Sequence, residues 1–288
     1  MSGDLLEVEH VTKSFAIGGL FGRSHFNAVE DVSFTVQAGR SEILAIIGES
    51  GSGKTTLARM ILNMLAPTSG AIRFRGEDLL EVRGRKRWLD FIRQIQPILQ
   101  NPYEAFNPLK RVDRYLYASV VRLAGARSQK ARDEAVDAAL QKVGLSLAEV
   151  GGRFPHELSG GQLQRTAIAR ALISSPALIV ADEPVSMVDA SLRMSIVNLF
   201  KRLRDELQVS ILYITHDLAT AYYISDRVII MQKGKVVETG PASEVLRHPK
   251  HPYSILLKES VLSPDDVGRG RLTLEHDGEA TPAGANAK

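Results

Sequence analysis

Nine consecutive residues, Gly48-Glu49-Ser50-Gly51-Ser52-Gly53-Lys54-Thr55-Thr56, carry the strongest chemical signal in the chain. Glycines at 48, 51 and 53 let the backbone turn its N–H groups inward around anionic oxygens, and a helix starting there adds a favourable dipole. The stretch matches the phosphate-loop pattern in full. It also stands where such a loop must, between the apolar run Ile43–Ile47 and an amphipathic segment. In that role Lys54 reaches the β- and γ-phosphates of a nucleotide, and the Thr55 hydroxyl coordinates Mg2+. A second signal is Leu178-Ile179-Val180-Ala181-Asp182-Glu183, where four apolar residues bury a strand and two acids end it. Open parallel sheets bind ligands at the carboxyl ends of their strands. There Asp182 fits the holding of Mg2+ through water, and Glu183 the polarising of an attacking water. His216, followed by Asp217, ends the next apolar run on the same edge, placed to hydrogen-bond a γ-phosphate.

A third stretch, Leu158-Ser159-Gly160-Gly161-Gln162, is by itself an ordinary polar loop before a helix, with Ser159 as the cap. Ser159 and the N–H groups of Gly160 and Gly161 can also hold an anion at that helix N-terminus. One chain has one phosphate loop, so a second anion site points to a nucleotide shared between two subunits.

These groups need elements to position them. Leu5–Val8, Val32–Val36 and Ala71–Phe74 read as strands, with Gly18–Gly22 as a loop between strands. Ile43–Ile47 is continuously apolar, as a parallel strand buried on both faces should be. The segment after it sets Leu57, Met60, Ile61, Met64 and Leu65 on one helical face. From Asn101 to Phe154 the pattern is helical; Ser128 caps a helix with Ala131, Ala135, Val136, Ala139 and Val143 on its apolar face, and Gly144 stops it. The αβ rhythm then returns with helix Leu163–Ser174, strand Ala177–Ala181, helix Leu192–Leu207, strand Ser210–Ile214 and strand Arg227–Met231. That alternation argues for a mainly parallel sheet covered on both sides. The residues from Ser263 onward read as a disordered tail.

Composition narrows the classes. The chain has 288 residues, 44% of them hydrophobic and 24% charged, enough for a sizeable core in about two lobes. Lys plus Arg number 36 against 33 Asp plus Glu, a net +3 that does not suit a binder of nucleic-acid backbone. There is no cysteine, which excludes disulfides, thiolate metal sites and a cysteine nucleophile. No apolar run approaches the roughly 18 residues of a membrane span, and Met1–Glu9 carries acids rather than a signal peptide's basic start. The expectation is a soluble intracellular protein whose membrane role, if any, comes through a partner. Arg83, Arg85, Lys86 and Arg87 read as a solvated basic face.

In order and type, the phosphate loop, Gln100, Leu158–Gln162, Asp182-Glu183, Asp189 and His216 resemble the ATP-binding cassette (ABC) ATPases, over residues 5–260. The resemblance implies an α/β fold: a phosphate-loop NTPase core with a mainly parallel sheet, an N-terminal antiparallel β part and an inserted α-helical subdomain. Residues 1–100 and 163–240 would form the ATP-binding core, 101–162 the helical subdomain, 241–262 a C-terminal extension and 263–288 the tail. It implies ATP and Mg2+ as ligands, with ATP sandwiched between the phosphate loop of one subunit and the Ser159-Gly160-Gly161-Gln162 turn of another. Phe15 matches the position that stacks on adenine. Gln100 matches the glutamine that contacts Mg2+ and water, and Asp189 the acid that crosses the dimer seam.

Within the family, Gln100-Asn101-Pro102-Tyr103 with Phe106-Asn107-Pro108 is similar to the dipeptide, oligopeptide and nickel importer ATPases. So is the stretch from Pro241 through His248-Pro249-Lys250-His251-Pro252-Tyr253; His248 and His251 read there as part of a Pro-rich strap rather than as metal ligands. Two departures stand out: Val185 and Met187-Val188 replace the usual Thr and Ala-Leu, and the absence of Cys rules out the iron–sulfur cluster of some relatives. The implied partners are a second cassette, identical or homologous and head to tail, two transmembrane permease subunits and, indirectly, an extracytoplasmic solute-binding protein, with no nucleic acid. The implied place is the cytoplasmic face of the membrane. An exporter cassette is the alternative within transport. A DNA-acting relative would insert coiled coils or zinc modules between Lys54 and Ser159, only 105 positions apart here (159 − 54); a ribosome-acting one would carry two cassettes.

Overall fold

A computed structural model describes residues 3–19 and 22–261. β1 (Asp4–Gly19) and β2 (Gly22–Gln37) form a long antiparallel hairpin. β3 (Ile43–Ile47) leads into α1 (Lys54–Ile61), followed by β4 (Ser69–Phe74), β5 (Glu77–Asp78), α2 (Arg85–Gln94) and β6 (Ile95–Ile98). Helices α3 (Asp113–Ser119), α4 (Gln129–Gln141), α5 (Leu147–Val150) and α6 (Gly160–Leu172) come next. The chain then alternates through β7 (Leu178–Asp182), α7 (Ala190–Leu207), β8 (Ser210–Thr215), α8 (Leu218–Ile224) and β9 (Arg227–Gln232). It ends on β10 (Lys235–Pro241), α9 (Ala242–Arg247) and α10 (Pro252–Val261).

Two sheets result. An antiparallel one runs β2-β1-β4-β5; the other runs β10-β9-β3-β8-β7-β6, parallel throughout except for β10. The apolar runs of β3 and β8 are buried along their whole length because both faces are covered. Side chains alternate across a strand, so β3 serves two cores. Leu44 and Ile46 pack with Leu57, Met60 and Ile61 of α1 and with Leu6 and Val8 of β1. Ala45 and Ile47 pack on the other side with Leu218 of α8, Val245 of α9 and Tyr253 of α10. A third core joins the helical insertion, through Leu116, Val136, Leu140 and Leu163, to Ile179, Phe200 and Tyr213.

Local signals operate as their chemistry dictates. Ser128 Oγ accepts from the Ala131 N–H at the start of α4, and Gly144 takes a φ of +73° after its end. Two expectations need correction. Met64 and Leu65 do not lie on α1: the helix ends at Ile61, and Asn63 turns left-handed at φ +53°, its side-chain amide donating to Leu79 O. Leu65 still packs, partly buried, against the same core. Met64 is left 66% exposed. The loop read over Gly18–Gly22 is narrower than expected, since Gly18 pairs with Arg23 and Gly19 with Gly22 in the hairpin ladder, while Leu20 and Phe21 lie outside the described residues. The tail from Ser263 lies outside the described residues. The basic residues Arg83, Arg85, Lys86 and Arg87 are exposed, as a solvated face should be. Among the described residues, no helix is long and apolar enough to cross a membrane.

Candidate nucleotide site

The phosphate loop wraps a buried lysine. Lys54 is only 4% exposed, and its Nζ donates to Gly48 O (2.6 Å), Glu49 O (2.7 Å) and, more weakly, Ser52 Oγ (3.3 Å). Burial pushes its ammonium down from the ordinary lysine range, opposed by the nearby acids Glu183, Asp182 and Glu49. Two glycines are obligatory on steric grounds. A Cβ on Gly48 would lie 2.2 Å from the Met231 carbonyl oxygen, and one on Gly53 would lie 2.2 Å from that of Ala28. Gly53 also has a φ of +101°. Gly53→Ala is therefore expected to destabilise the fold by about 2 kcal/mol or more and to abolish the rise in melting temperature on adding ATP. Thermal denaturation with and without nucleotide checks both effects.

The acids and the groups around them come from three neighbouring strands. Gln100 follows β6, Asp182 and Glu183 end β7 and His216 follows β8, and these three strands are adjacent in the sheet with β3 next to β8. Glu183 is turned into the left-handed region at φ +45°, held there by its N–H on Ile214 O (2.8 Å). Its carboxylate accepts from Gln100 Nε2 at Oε2 and from His216 Nδ1 at Oε1, both at 3.0 Å. A carboxylate only accepts, so the proton of the second bond sits on His216 Nδ1 and Nε2 is left for another partner. The Thr55 hydroxyl lies beside Asp182 and favours its charged form. Asp182 Oδ1 is buried without a hydrogen-bond partner. Burial pushes this carboxyl above the usual carboxylate range, against the opposing pull of Thr55 and Lys54.

Ser159 caps α6 reciprocally: its Oγ accepts from the Gln162 N–H (3.2 Å), and Gln162 Oε1 accepts from the Ser159 N–H (3.1 Å). A Cβ on Gly161 would press to 2.8 Å from Leu192 Cδ1 of α7. Neither of these Ser159 bonds reaches the phosphate loop, so the loop, Gln100, Thr55, Asp182, Glu183 and His216 form one group and the Ser159–Gln162 turn another. Asp189 is exposed just before α7, after the buried Val188 and the exposed Met187. Phe15 is 41% exposed with Lys13 Nζ 5.4 Å from its ring centre.

The sequence reading missed two side chains here. Phe26 pairs directly opposite Phe15 in the hairpin and is more open to solvent than Phe15. Gln164 is fully buried and donates to Pro184 O (2.8 Å), tying α6 to the turn after Glu183. The hairpin register finds the first, and no local pattern finds the second.

The family described as ABC transporter matches residues 29–186, and the oligopeptide/dipeptide transporter C-terminal region matches residues 237–286. The chain belongs to the ABC transporter family. The oligopeptide transport ATP-binding protein OppF of Bacillus subtilis is 40% identical over 278 residues, covering 96% of this chain and 89% of that protein. OppF of Haemophilus influenzae is 41% identical over 266 residues, 91% of this chain and 79% of that one. Among solved structures, the cassette MJ0796 as a dimer bound to ADP and Pi superposes with a TM-score of 0.72. It is 26% identical, over 82% of this chain and 98% of that one. This ABC cassette is thus an ATPase coupled to transport, built on the α/β nucleotide-binding core expected of it. Its C-terminal extension packs as a strap: α9 and α10 cover β3 and β9. Among the described residues, no cluster of His, Asp and Glu around His248 or His251 is arranged to hold a metal ion.

Proposed function

We propose that this cassette powers import of an oligopeptide-class solute, as one of two cassettes set head to tail beneath two membrane permease subunits fed by an extracytoplasmic binding protein. That would place it on the cytoplasmic face of the membrane. The observation that carries the solute class is the C-terminal extension, matched over 237–286 and, in its described part up to Val261, folded as a strap against the nucleotide core. Residues 1–100 and 163–240 would act as the ATP-binding core, and 101–162 as the lobe that carries the second anion site.

In this reading ATP lies along the loop Gly48–Thr56, its phosphates under the loop N–H groups and Lys54, with adenine on Phe15. Lys13 takes one face of that ring and leaves the other for the base. The chain's residues fit Mg2+: Asp182 has a buried oxygen without a partner beside the exposed Thr55, and Gln100 stands at the same sheet edge. Thr55, Asp182 and Gln100 would hold the ion. Bound there, it supplies positive charge at the β- and γ-phosphate oxygens. Glu183 takes a proton from the attacking water, while Gln100 and His216 fix its carboxylate. Ser159, Gly160, Gly161 and Gln162 of a second cassette, with its Asp189, complete the site across the seam. Only the closed pair then offers both halves of the γ-phosphate site, so ATP favours closure and phosphate release reopens the pair.

The test is affinity purification of the protein from native membranes followed by mass spectrometry. Recovery of two membrane subunits and a second cassette is expected, with uptake of a labelled peptide lost when the gene is deleted. Recovery of nucleic acid or ribosomes, or of no membrane protein, would overturn the transport assignment.

A further inference from the structure

The peptide unit between Gly48 and Glu49 is gripped from both ends. Its carbonyl oxygen accepts from Lys54 Nζ (2.6 Å), and its N–H donates to the hydroxyl oxygen of Tyr253 (2.9 Å), 204 residues away on α10. The two groups of a trans peptide point in opposite directions in one plane. Tyr253 therefore grips, from behind the loop, the same rigid plate that Lys54 holds in front. A rotation of that plate would move Gly48 O, the shortest of the three contacts of Lys54.

The strap is constructed to deliver this hydroxyl. Glu238 of β10 accepts from the N–H groups of Lys250 (2.9 Å) and His251 (3.1 Å), closing the turn before α10. His251 Nδ1 then accepts from the Tyr253 N–H (3.2 Å) across Pro252, the first residue of the helix. The Tyr253 ring is buried among Ala45, Ile47, Val245 and Leu246, against the strand that feeds the loop. His251-Pro252-Tyr253 is thus one mechanical unit: a cap, a fixed backbone angle and a pointer.

We propose that Tyr253 is a positioning residue of the phosphate loop, orienting the Gly48–Glu49 peptide so that the C-terminal strap sets the affinity of the loop for ATP. The proposal rests on the loop Gly48–Thr56 being the ATP site. Without the hydroxyl the Glu49 N–H loses its partner and the plate is free to rock, so order that the folded loop already has must be gained on binding. The effect falls on binding and leaves the chemistry at Glu183 alone.

The experiment compares the full-length wild type with Tyr253→Phe, which keeps the ring and removes one oxygen. The control is Tyr222→Phe, which removes the hydroxyl that accepts from Arg247 Nε (2.6 Å) and so loosens the strap without touching the loop. Kd and KM for MgATP, kcat and melting temperature are measured for all three. Tyr253→Phe is expected to raise Kd and KM roughly threefold to tenfold, with kcat within about twofold of wild type, while Tyr222→Phe leaves Kd unchanged. Equal Kd for Tyr253→Phe and wild type overturns the proposal, whether or not the melting temperature falls. Equal weakening in both variants also overturns it, because general loosening of the strap would then be the cause. Failure of the wild type itself to bind MgATP would instead sink the assignment of the loop.

Discussion

Glu183→Gln is expected to lower steady-state ATP turnover by about two to three orders of magnitude while MgATP affinity stays within about threefold of wild type. The substitution keeps size and shape but removes the negative charge, and with it the basicity and the ability of both ends to accept. In the native site Oε1 accepts from His216 and Oε2 from Gln100. An amide can satisfy only one of those donors, and it cannot take a proton from water near neutral pH. The backbone should hold its place. The left-handed φ of +45° at Glu183 is fixed by its N–H on Ile214 O and by Ser186, whose N–H and hydroxyl both reach the Glu183 carbonyl. None of these bonds involves the side chain being changed. With binding intact and hydrolysis blocked, the closed pair should accumulate with ATP, seen as a dimer by light scattering. Phosphate-release assays and nucleotide titration on the same preparation decide the matter, and unimpaired turnover would remove Glu183 from the role of base.

The features legible in the sequence were those whose chemistry is completed within a few residues. The phosphate loop announces itself because its glycines, lysine and hydroxyls must be consecutive, and the structure explains two of the glycines by contacts of 2.2 Å with Met231 and Ala28 carbonyls. The Ser159 cap is legible for the same reason, since its partner is Gln162, three residues on. Apolar runs reveal β3 and β8 because burial on both faces leaves no place for a charged side chain. The end of α1 was misread because periodicity is blind to one left-handed residue: Leu57, Met60, Ile61 and Met64 keep the spacing, but Asn63 breaks the backbone first. Hidden altogether were contacts made by the fold. Resemblance marks Gln100 as a site residue and the end of an apolar run marks His216, yet only the strand order β8-β7-β6 shows that both grip the carboxylate of Glu183. The hydroxyl of Tyr253 on the Glu49 N–H spans 204 residues and has no local signature.

Lys54→Ala is expected to weaken MgATP binding by roughly 30-fold or more, the scale on which a buried, hydrogen-bonded charge is removed from an anion site. The reason is charge balance as much as contact. Glu183, Asp182 and Glu49 lie close enough to Lys54 to favour its charged form, and it is the cation they surround. Without it, the phosphates of ATP would meet three carboxylates and no ammonium. The same side chain is also the internal tie of the loop, with Nζ on Gly48 O and Glu49 O, so its loss leaves both carbonyls short of a donor. The two roles separate in a thermal experiment. Loosening of the loop changes the melting temperature without nucleotide, whereas the charge deficit changes the shift produced by ATP. At a nucleotide concentration 100 times the wild-type Kd, binding stabilises the native protein by about 2.7 kcal/mol; a 30-fold weaker variant should gain only about 0.9 kcal/mol under the same conditions. An unchanged shift would mean that Lys54 does not hold the nucleotide. The lysine would then be a structural tie, its burial opposed by acids that serve some other cation.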